Sequence, residues 1–310
     1  MATPARPQRT RHYAGPIYDS ARWDEFAVRP GDIIVATPTK CGTTWTQMLC
    51  ALLVHQTPEL PLPLTRLSRW LDRHTDPIDT LVAEFEAQPW RRIIKTHTPL
   101  DGLPYYGQCS YVVCGRDPRD AFLSMLDQVA NLSEATLEDA ARRLGGRKPD
   151  VQALRRDPDA SFALWMTVGE QPWMRDGVML GSVLDMVHSY WAYRHLPNLC
   201  FLHYGDLVAD LDREMRHLSA FLGIPVDAER WPRLVAAARF DAMKERAADN
   251  APGAHLGEWR SAGDFFREGR MQAWKDGLRA DSLALYERAM AERYEPAFRR
   301  WLEGGRAALA

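Results

Sequence analysis

Along the chain, short runs of β-branched and aliphatic residues alternate with stretches whose apolar positions recur every three to four residues. Asp32-Ile33-Ile34-Val35 reads as a strand, and Trp45, Met48, Leu49, Leu52 and Leu53 behind it share one helix face. Arg91 to His97, RRIIKTH, reads as a second strand with basic flanks, and Pro99 and Pro104 stop its continuation. Tyr111 to Cys114 is a third, followed by helical spacing through Phe122, Met125 and Val129. Pro118 fits the first turn of that helix, where its missing N–H costs nothing. Leu199 to His203 is a fourth strand, and Leu211, Met215, Leu218 and Leu222 again line one helix face. Asp79 to Phe85 reads as a short helix and Ser182 to Arg194 as another. The C-terminal stretch reads as one helix with Tyr286, Met290, Ala297 and Trp301 on a stripe. Strands alternating with helices predict an α/β fold, a central parallel sheet flanked by helices, with ligands at the carboxyl ends of its strands.

Three regions are less regular. Up to about Arg29 the chain is an irregular lead-in with Tyr13, Tyr18 and Trp23 as packing anchors. Asn131 to Gly181 breaks the pattern, and Ala247 to Arg270 is polar and glycine-rich. There is no internal repeat and no linker, so residues 1–310 are expected to form a single domain with a variable insertion at about 131–181. That insertion holds Phe162, Trp165, Met166, Trp173 and Met174. Either they meet a hydrophobic or aromatic ligand, or they pack the insertion against the core.

Composition narrows the class. The chain is 46% hydrophobic and 26% charged with a net charge of −2, as in a soluble globular protein. No global basic field argues for nucleic acid or an anionic membrane. The five cysteines, Cys41, Cys50, Cys109, Cys114 and Cys200, are odd in number and form no CxxC pair, the usage of a reduced cytosolic chain. No signal peptide or spanning run is apparent, so the expected location is cytoplasmic. There is no HExxH motif, and no catalytic metal is expected.

The candidate chemistry starts at Ala36 to Trp45, ATPTKCGTTW, where the first strand turns into the first helix. A helix start offers unpaired N–H groups and the positive end of the dipole, which suits an anion. Gly42 lets the backbone come close, Lys40 adds charge, and Thr43 and Thr44 add hydroxyls. The order is not that of the nucleotide-triphosphate loop, because the lysine precedes the glycine. A plain βα turn with a threonine cap is the alternative. A second strand-to-helix corner, GRDPRDAFLS, carries Arg116 and Ser124.

Five motifs in order make the chain resemble the cytosolic-type sulfotransferases, as a bacterial-like member. They are Thr37-Pro38-Thr39-Lys40-Cys41-Gly42-Thr43-Thr44-Trp45; Lys95-Thr96-His97; Arg116 with Ser124 eight residues on; Tyr204 after a later strand; and Phe265-Phe266-Arg267-Glu268-Gly269 followed by Trp274-Lys275. The resemblance runs from about Trp23 to Arg300, interrupted by the insertion. It implies a P-loop-like fold that binds 3′-phosphoadenosine-5′-phosphosulfate (PAPS), with adenosine 3′,5′-bisphosphate (PAP) as product and no metal. Lys40, Cys41, Gly42, Thr43 and Thr44 would hold the 5′-phosphosulfate. Trp45, Tyr204 and Phe240 would contact the adenine, and Arg116, Ser124, Arg267 and Gly269 would form the 3′-phosphate side. His97 would be the base, with Lys40 and Lys95 as catalytic cations, and a small-molecule acceptor would take the sulfuryl group on a hydroxyl or amine. Sulfuryl transfer is then an in-line displacement in which those cations neutralise developing charge.

Departures from the family pattern are Cys41 for a serine, Glu268 for a lysine, and the extra Thr39. Of the animal dimer motif only Lys275 survives, which leaves that dimer without support. Read without the resemblance, His97 and Arg116 are ordinary strand-end polar residues, Arg116 pairing with Asp117 or Asp120, and Ser124 bonds its own backbone. Trp45, Tyr204 and Phe240 are equally core residues. Cys41 is either a thiolate favoured by Lys40 and the helix end or a passive serine substitute. Two further readings remain open, a small-molecule kinase on the same sheet and a PAP-binding protein without transfer activity.

Overall fold

The computed structural model describes residues 6–15, 17–74, 76–143, 150–167, 182–266 and 269–309. Four strands, β1 (Ile33–Ala36), β2 (Ile93–Thr96), β3 (Ser110–Gly115) and β4 (Leu199–His203), form one parallel sheet in the order β2-β1-β3-β4. Parallel neighbours need crossover connections, and helices supply them. The principal ones are α1 (Thr43–His55), α2 (Pro118–Ala130), α3 (Pro158–Thr167), α4 (Ser182–Trp191), α5 (Leu211–Leu222), α6 (Ala280–Arg293) and α7 (Pro296–Gly304).

Strand residues alternate between two cores. Ile33, Val35, Val112, Cys114 and Leu202 pack with α1 and with Met215, Leu218 and Leu222 of α5. Ile34, Ala36, Tyr111 and Val113 pack with Phe122, Tyr190, Tyr286, Met290 and Trp301 on the opposite face. The sheet is thus buried on both sides, which explains its near-continuous apolar runs. No helix among the described residues is long and apolar enough to cross a membrane.

Three expectations need amendment. The C-terminal stripe belongs to two helices, because Pro296 begins α7 and cannot continue α6. Tyr204 lies one residue beyond β4 and opens the short helix Tyr204–Ala209. In the 131–181 region, helices cover Glu134–Arg143, Val151–Arg156 and α3. There Phe162 and Trp165 stack on Phe122 at 5.0 and 5.4 Å, so these residues and Met166 are core. Trp173 and Met174 lie outside the described residues. Tyr13, Tyr18 and Trp23 are buried as expected.

The base of β2 carries an ion network that the apolar pattern does not announce. Arg92 is fully buried and grips Asp32 at 3.0 and 2.5 Å and Glu86 at 2.7 Å. A buried guanidinium needs such partners to offset its desolvation.

Candidate functional site

From β1 the chain crosses to β2 on one side and then returns to β3 on the other, so strand order reverses between β1 and β3. The carboxyl ends of those strands form a crevice, the usual ligand position in an open α/β sheet. The loop after β1, the end of β2 and the corner after β3 all open onto it.

The loop after β1 is a tight turn in which Cys41 N–H donates to Pro38 O at 3.3 Å. Lys40 occupies its left-handed position, with φ 65°. A lysine there is strained, and such strain tends to sit at functional positions. The extra Thr39 is absorbed in this turn. Gly42 follows as N-cap of α1 with φ 86° and no side-chain capping bond. The first intrahelical bond runs from Thr46 N–H to Gly42 O at 2.8 Å, leaving the N–H groups of Thr43, Thr44 and Trp45 ahead of it. A helix end left uncapped by its own side chains fits an external anion. Thr43 differs from expectation: its hydroxyl accepts from Thr37 Oγ1 at 2.6 Å and donates to Pro38 O at 3.3 Å. Its side chain therefore braces the loop, and its backbone N–H is what faces outward.

Gly42 is required twice over, since a Cβ there would also stand 3.1 Å from Tyr204 Cδ2. Gly42→Ala is expected to cost about 1–2 kcal/mol for the left-handed conformation alone. Urea unfolding measures it, and an unchanged midpoint would contradict the turn.

Cys41 is fully buried, and burial pushes its thiol up to about 12 despite Arg116 and Lys40 nearby. Burial thus disfavours the thiolate, and Cys41 packs as a neutral thiol. Lys40 keeps part of its surface open and lays Nζ over the Phe265 ring at 4.7 Å. Burial and then Arg116 hold its amine down at about 7.

The end of β2 brings Lys95 and His97 to the same crevice, both buried. Burial holds Lys95 down to about 7, with Arg73 adding to the effect. His97 Nδ1 lies 2.5 Å from Thr37 O. A carbonyl only accepts, so Nδ1 carries the proton and Nε2 presents its lone pair. Burial, then Lys95, depresses the imidazole well below 6.5. The ring is therefore neutral near pH 7, in the tautomer a proton acceptor needs.

Trp70, which the sequence pattern did not single out, is the third wall. His97 packs against its ring at 4.6 Å, near-perpendicular, and Lys95 Nζ lies 4.7 Å from its centroid. Only its aromatic identity could have flagged it. Next to it a cavity of about 50 Å³ is bounded by Gln47, Ser68, Trp70, Arg73 and Lys95. It is large enough for only a few waters and is far below the roughly 300–1,000 Å³ of ligand pockets. An ion pair between Arg73 and Glu258 ties its rim to the 250–260 segment.

At the corner after β3, Arg116 is buried and donates to Lys40 O at 3.0 Å and Arg270 O at 3.2 Å. Its guanidinium lies 4.3 Å over the Tyr204 ring, and Nε is buried without a partner. The carboxylates that could have claimed it are engaged elsewhere. Asp117 pairs with Arg119 at 2.8 Å, and Asp120 accepts Gln272 N–H at 2.7 Å. Ser124 is half-buried one turn beyond Asp120 on α2, with no hydrogen bond to its own backbone. Trp45 packs on Tyr204 at 5.5 Å and Phe240 at 6.5 Å, and its Nε1–H donates to Ala238 O at 2.8 Å. Gly269, with φ 63°, lies against the same rings, its Cβ position 3.4 Å from Tyr204 Oη. Trp45 and Tyr204 are core residues, and half-buried Phe240 packs against them beside Arg116. Arg267 and Glu268 lie outside the described residues.

Helix N-terminus, three cations and a neutral imidazole thus converge at one end of the sheet, a set suited to an anionic group-transfer donor. Comparison with known proteins agrees. The family model described as "Sulfotransferase domain" matches residues 30–298. A protein named "Glycolipid sulfotransferase" from Mycobacterium bovis (strain BCG / Pasteur 1173P2) is 40% identical over 291 residues, covering 89% of each chain. Human "Sulfotransferase 1C2" is 24% identical over 291 residues, covering 90% of this chain and 86% of its own. Among solved structures, mouse sulfotransferase SULT7A1 complexed with PAP superposes with a TM-score of 0.67 at 21% identity, covering 90% of this chain and 91% of that one. Retinol dehydratase in complex with androsterone and PAP gives 0.64 at 21% identity, over 89% and 86%. These two share the fold. Family match and 40% relative together mean that this chain belongs to the sulfotransferase family.

Proposed function

We propose that the protein transfers the sulfuryl group of PAPS to a hydroxyl, or an amine, with His97 as general base. The observation that carries this reading is the neutral His97, hydrogen-bonded through Nδ1, beside Lys95 at the mouth of an uncapped helix N-terminus. PAPS supplies an activated sulfuryl group whose leaving group is a phosphate. The N–H groups of Thr43, Thr44 and Trp45, with Lys40, would hold that phosphate. Lys95 would neutralise charge on the sulfuryl oxygens. His97 Nε2 would take the acceptor proton, a task typically worth about 10²–10⁴ in rate. Arg116, with its unpartnered Nε, would bind the 3′-phosphate, and Ser124, Arg267 and Gly269 would complete that side. Trp45, Tyr204 and Phe240 would flank the adenine.

The acceptor reading follows less from the insertion than the apolar pattern implied, because Phe162, Trp165 and Met166 are core residues. A small aromatic or hydrophobic acceptor stays under test. Relatives named as glycolipid sulfotransferases make a glycolipid hydroxyl the other class to try. Incubation with PAPS and a panel of phenols, sterols and glycolipids, following PAP by mass spectrometry, tests the assignment. A folded protein that turns over none of them would count against it.

A proton linkage follows from the same geometry. Lys40 and Lys95 lie near 7 in the free protein, and a bound polyanion stabilises their protonated forms. PAP binding is therefore expected to take up protons near pH 8. Affinity is complete below about pH 7 and lost progressively as pH rises beyond it. Calorimetry in buffers of different ionisation enthalpy reads the uptake directly; a binding heat independent of buffer would refute it.

A further inference from the structure

One buried acid beneath this site has no part in the reading above. Asp72 is completely buried, on a segment that pairs with the free edge of β2. Lys95 N–H donates to Arg69 O at 3.0 Å and Leu71 N–H to Lys95 O at 3.3 Å. Asp72 Oδ2 accepts three hydrogen bonds, from Thr96 Oγ1 and Thr98 Oγ1 at 2.6 Å each and from Trp23 Nε1 at 3.1 Å. Thr96 Oγ1 in turn accepts Thr98 N–H at 3.0 Å. Both neighbours of His97 therefore hang on one carboxylate oxygen, while Thr37 O holds the ring itself. The other oxygen, Oδ1, is buried without a partner.

An amide could accept the same three bonds without the cost of burying a charge. Burial pushes the Asp72 carboxyl up, and the bonds from Thr96, Thr98 and Trp23 oppose that shift; what the carboxylate adds is its sign. The charged groups around Lys95 are Arg73, Glu258, Lys40 and Asp72, and His97 faces Lys95 and Arg73. Arg22 reaches the same segment, donating to Leu71 O at 3.0 Å, and feels Asp72. Arg22 also faces Glu25, Asp76 and Asp19, and Glu258 is already paired with Arg73, which leaves Asp72, among the described residues, as the unpaired acid beside Lys95.

We propose that Asp72 is a positioning residue for sulfuryl transfer: through Thr96 and Thr98 it fixes the imidazole of His97, and its buried charge faces Lys95. This rests on the reading of His97 and Lys95 as the reacting-site groups. Asp72→Asn keeps shape and acceptor oxygen while removing the charge. Lys95 then loses an anion that favours its protonated form, and its titration falls further. The alkaline limb of kcat/KM for PAPS against pH is expected to move to lower pH by about one unit, the effect of a nearby opposite charge. At pH 8 kcat/KM for PAPS falls about tenfold, because binding must now protonate a more acidic Lys95. Lys95 Nζ titration, followed by NMR, shifts with it.

Thr98→Val, nearly isosteric, removes one donor and no charge, so kcat falls while the limb stays in place. A purely structural role for Asp72 would lower stability and leave the pH limb and the Lys95 titration unmoved, and that result overturns the proposal. Should Asp72→Asn not fold, Thr98→Val decides: a parental kcat overturns it. The Lys95 titration needs no turnover, so an inactive parent protein would sink the transfer reading while leaving this one decidable.

Discussion

His97→Ala is expected to lower kcat by about 10²–10⁴ while PAP binds as tightly as in the parent. The asymmetry follows from where the imidazole sits. Its Nδ1 is committed to Thr37 O, its edge rests on Trp70, and only Nε2 is free to meet an acceptor. The groups proposed to hold the nucleotide lie on α1 and after β3, away from the His97 ring. Charge matters as much as position. The ring is neutral at pH 7 because burial and Lys95 disfavour imidazolium. Acceptor deprotonation creates that cation, and the sulfuryl and phosphate oxygens beside it then offset the charge. The acid limb of kcat/KM, which reports the free protein, therefore belongs well below pH 6.5. Calorimetry with PAP and single-turnover transfer separate the two effects, and parental turnover by a folded alanine variant would remove His97 from the mechanism.

The second large effect concerns nucleotide discrimination. Arg116→Met keeps most of the side-chain volume over Tyr204 but deletes the guanidinium. PAP affinity is expected to fall about 10–100-fold, since a hydrogen bond to a charged group is worth about 1.5–3 kcal/mol. Affinity for AMP, which lacks the 3′-phosphate, should change far less. The buried and unpartnered Nε motivates this, as does the absence of any carboxylate among the described residues that pairs with Arg116. In the parent, PAP should bind much better than AMP. Equal affinities would mean that the 3′-phosphate side does not work, and would favour a protein without transfer activity. ATP with Mg²⁺ protecting the fold better than PAP would instead favour the kinase reading.

Much of this was legible in the chain because it is local. Each strand is a short apolar run, and the helices after β1 and β3 start at Gly42-Thr43 and Pro118, so those strand–loop–helix corners follow from propensity and periodicity. Lys40, Gly42, Arg116 and His97 stand at those corners, where sequence order and spatial position coincide. Family membership, too, was carried by residues at such corners.

What only the tertiary structure decided concerns groups distant in sequence. Nothing local says that Thr37 O would fix the tautomer of His97, or that Thr43 would spend its hydroxyl inside the loop. The sequence left Cys41 open between a thiolate and a passive serine substitute; burial raises its thiol. For Phe162 and Trp165 it left ligand contact and core packing open; Phe122 and Tyr286 take them into the core. Trp70 and Asp72 carried no signal, because their roles arise only when the segment between α1 and β2 folds against the free edge of β2. Periodicity reports which side of an element is apolar, whereas desolvation and hydrogen-bond partnership depend on which elements meet.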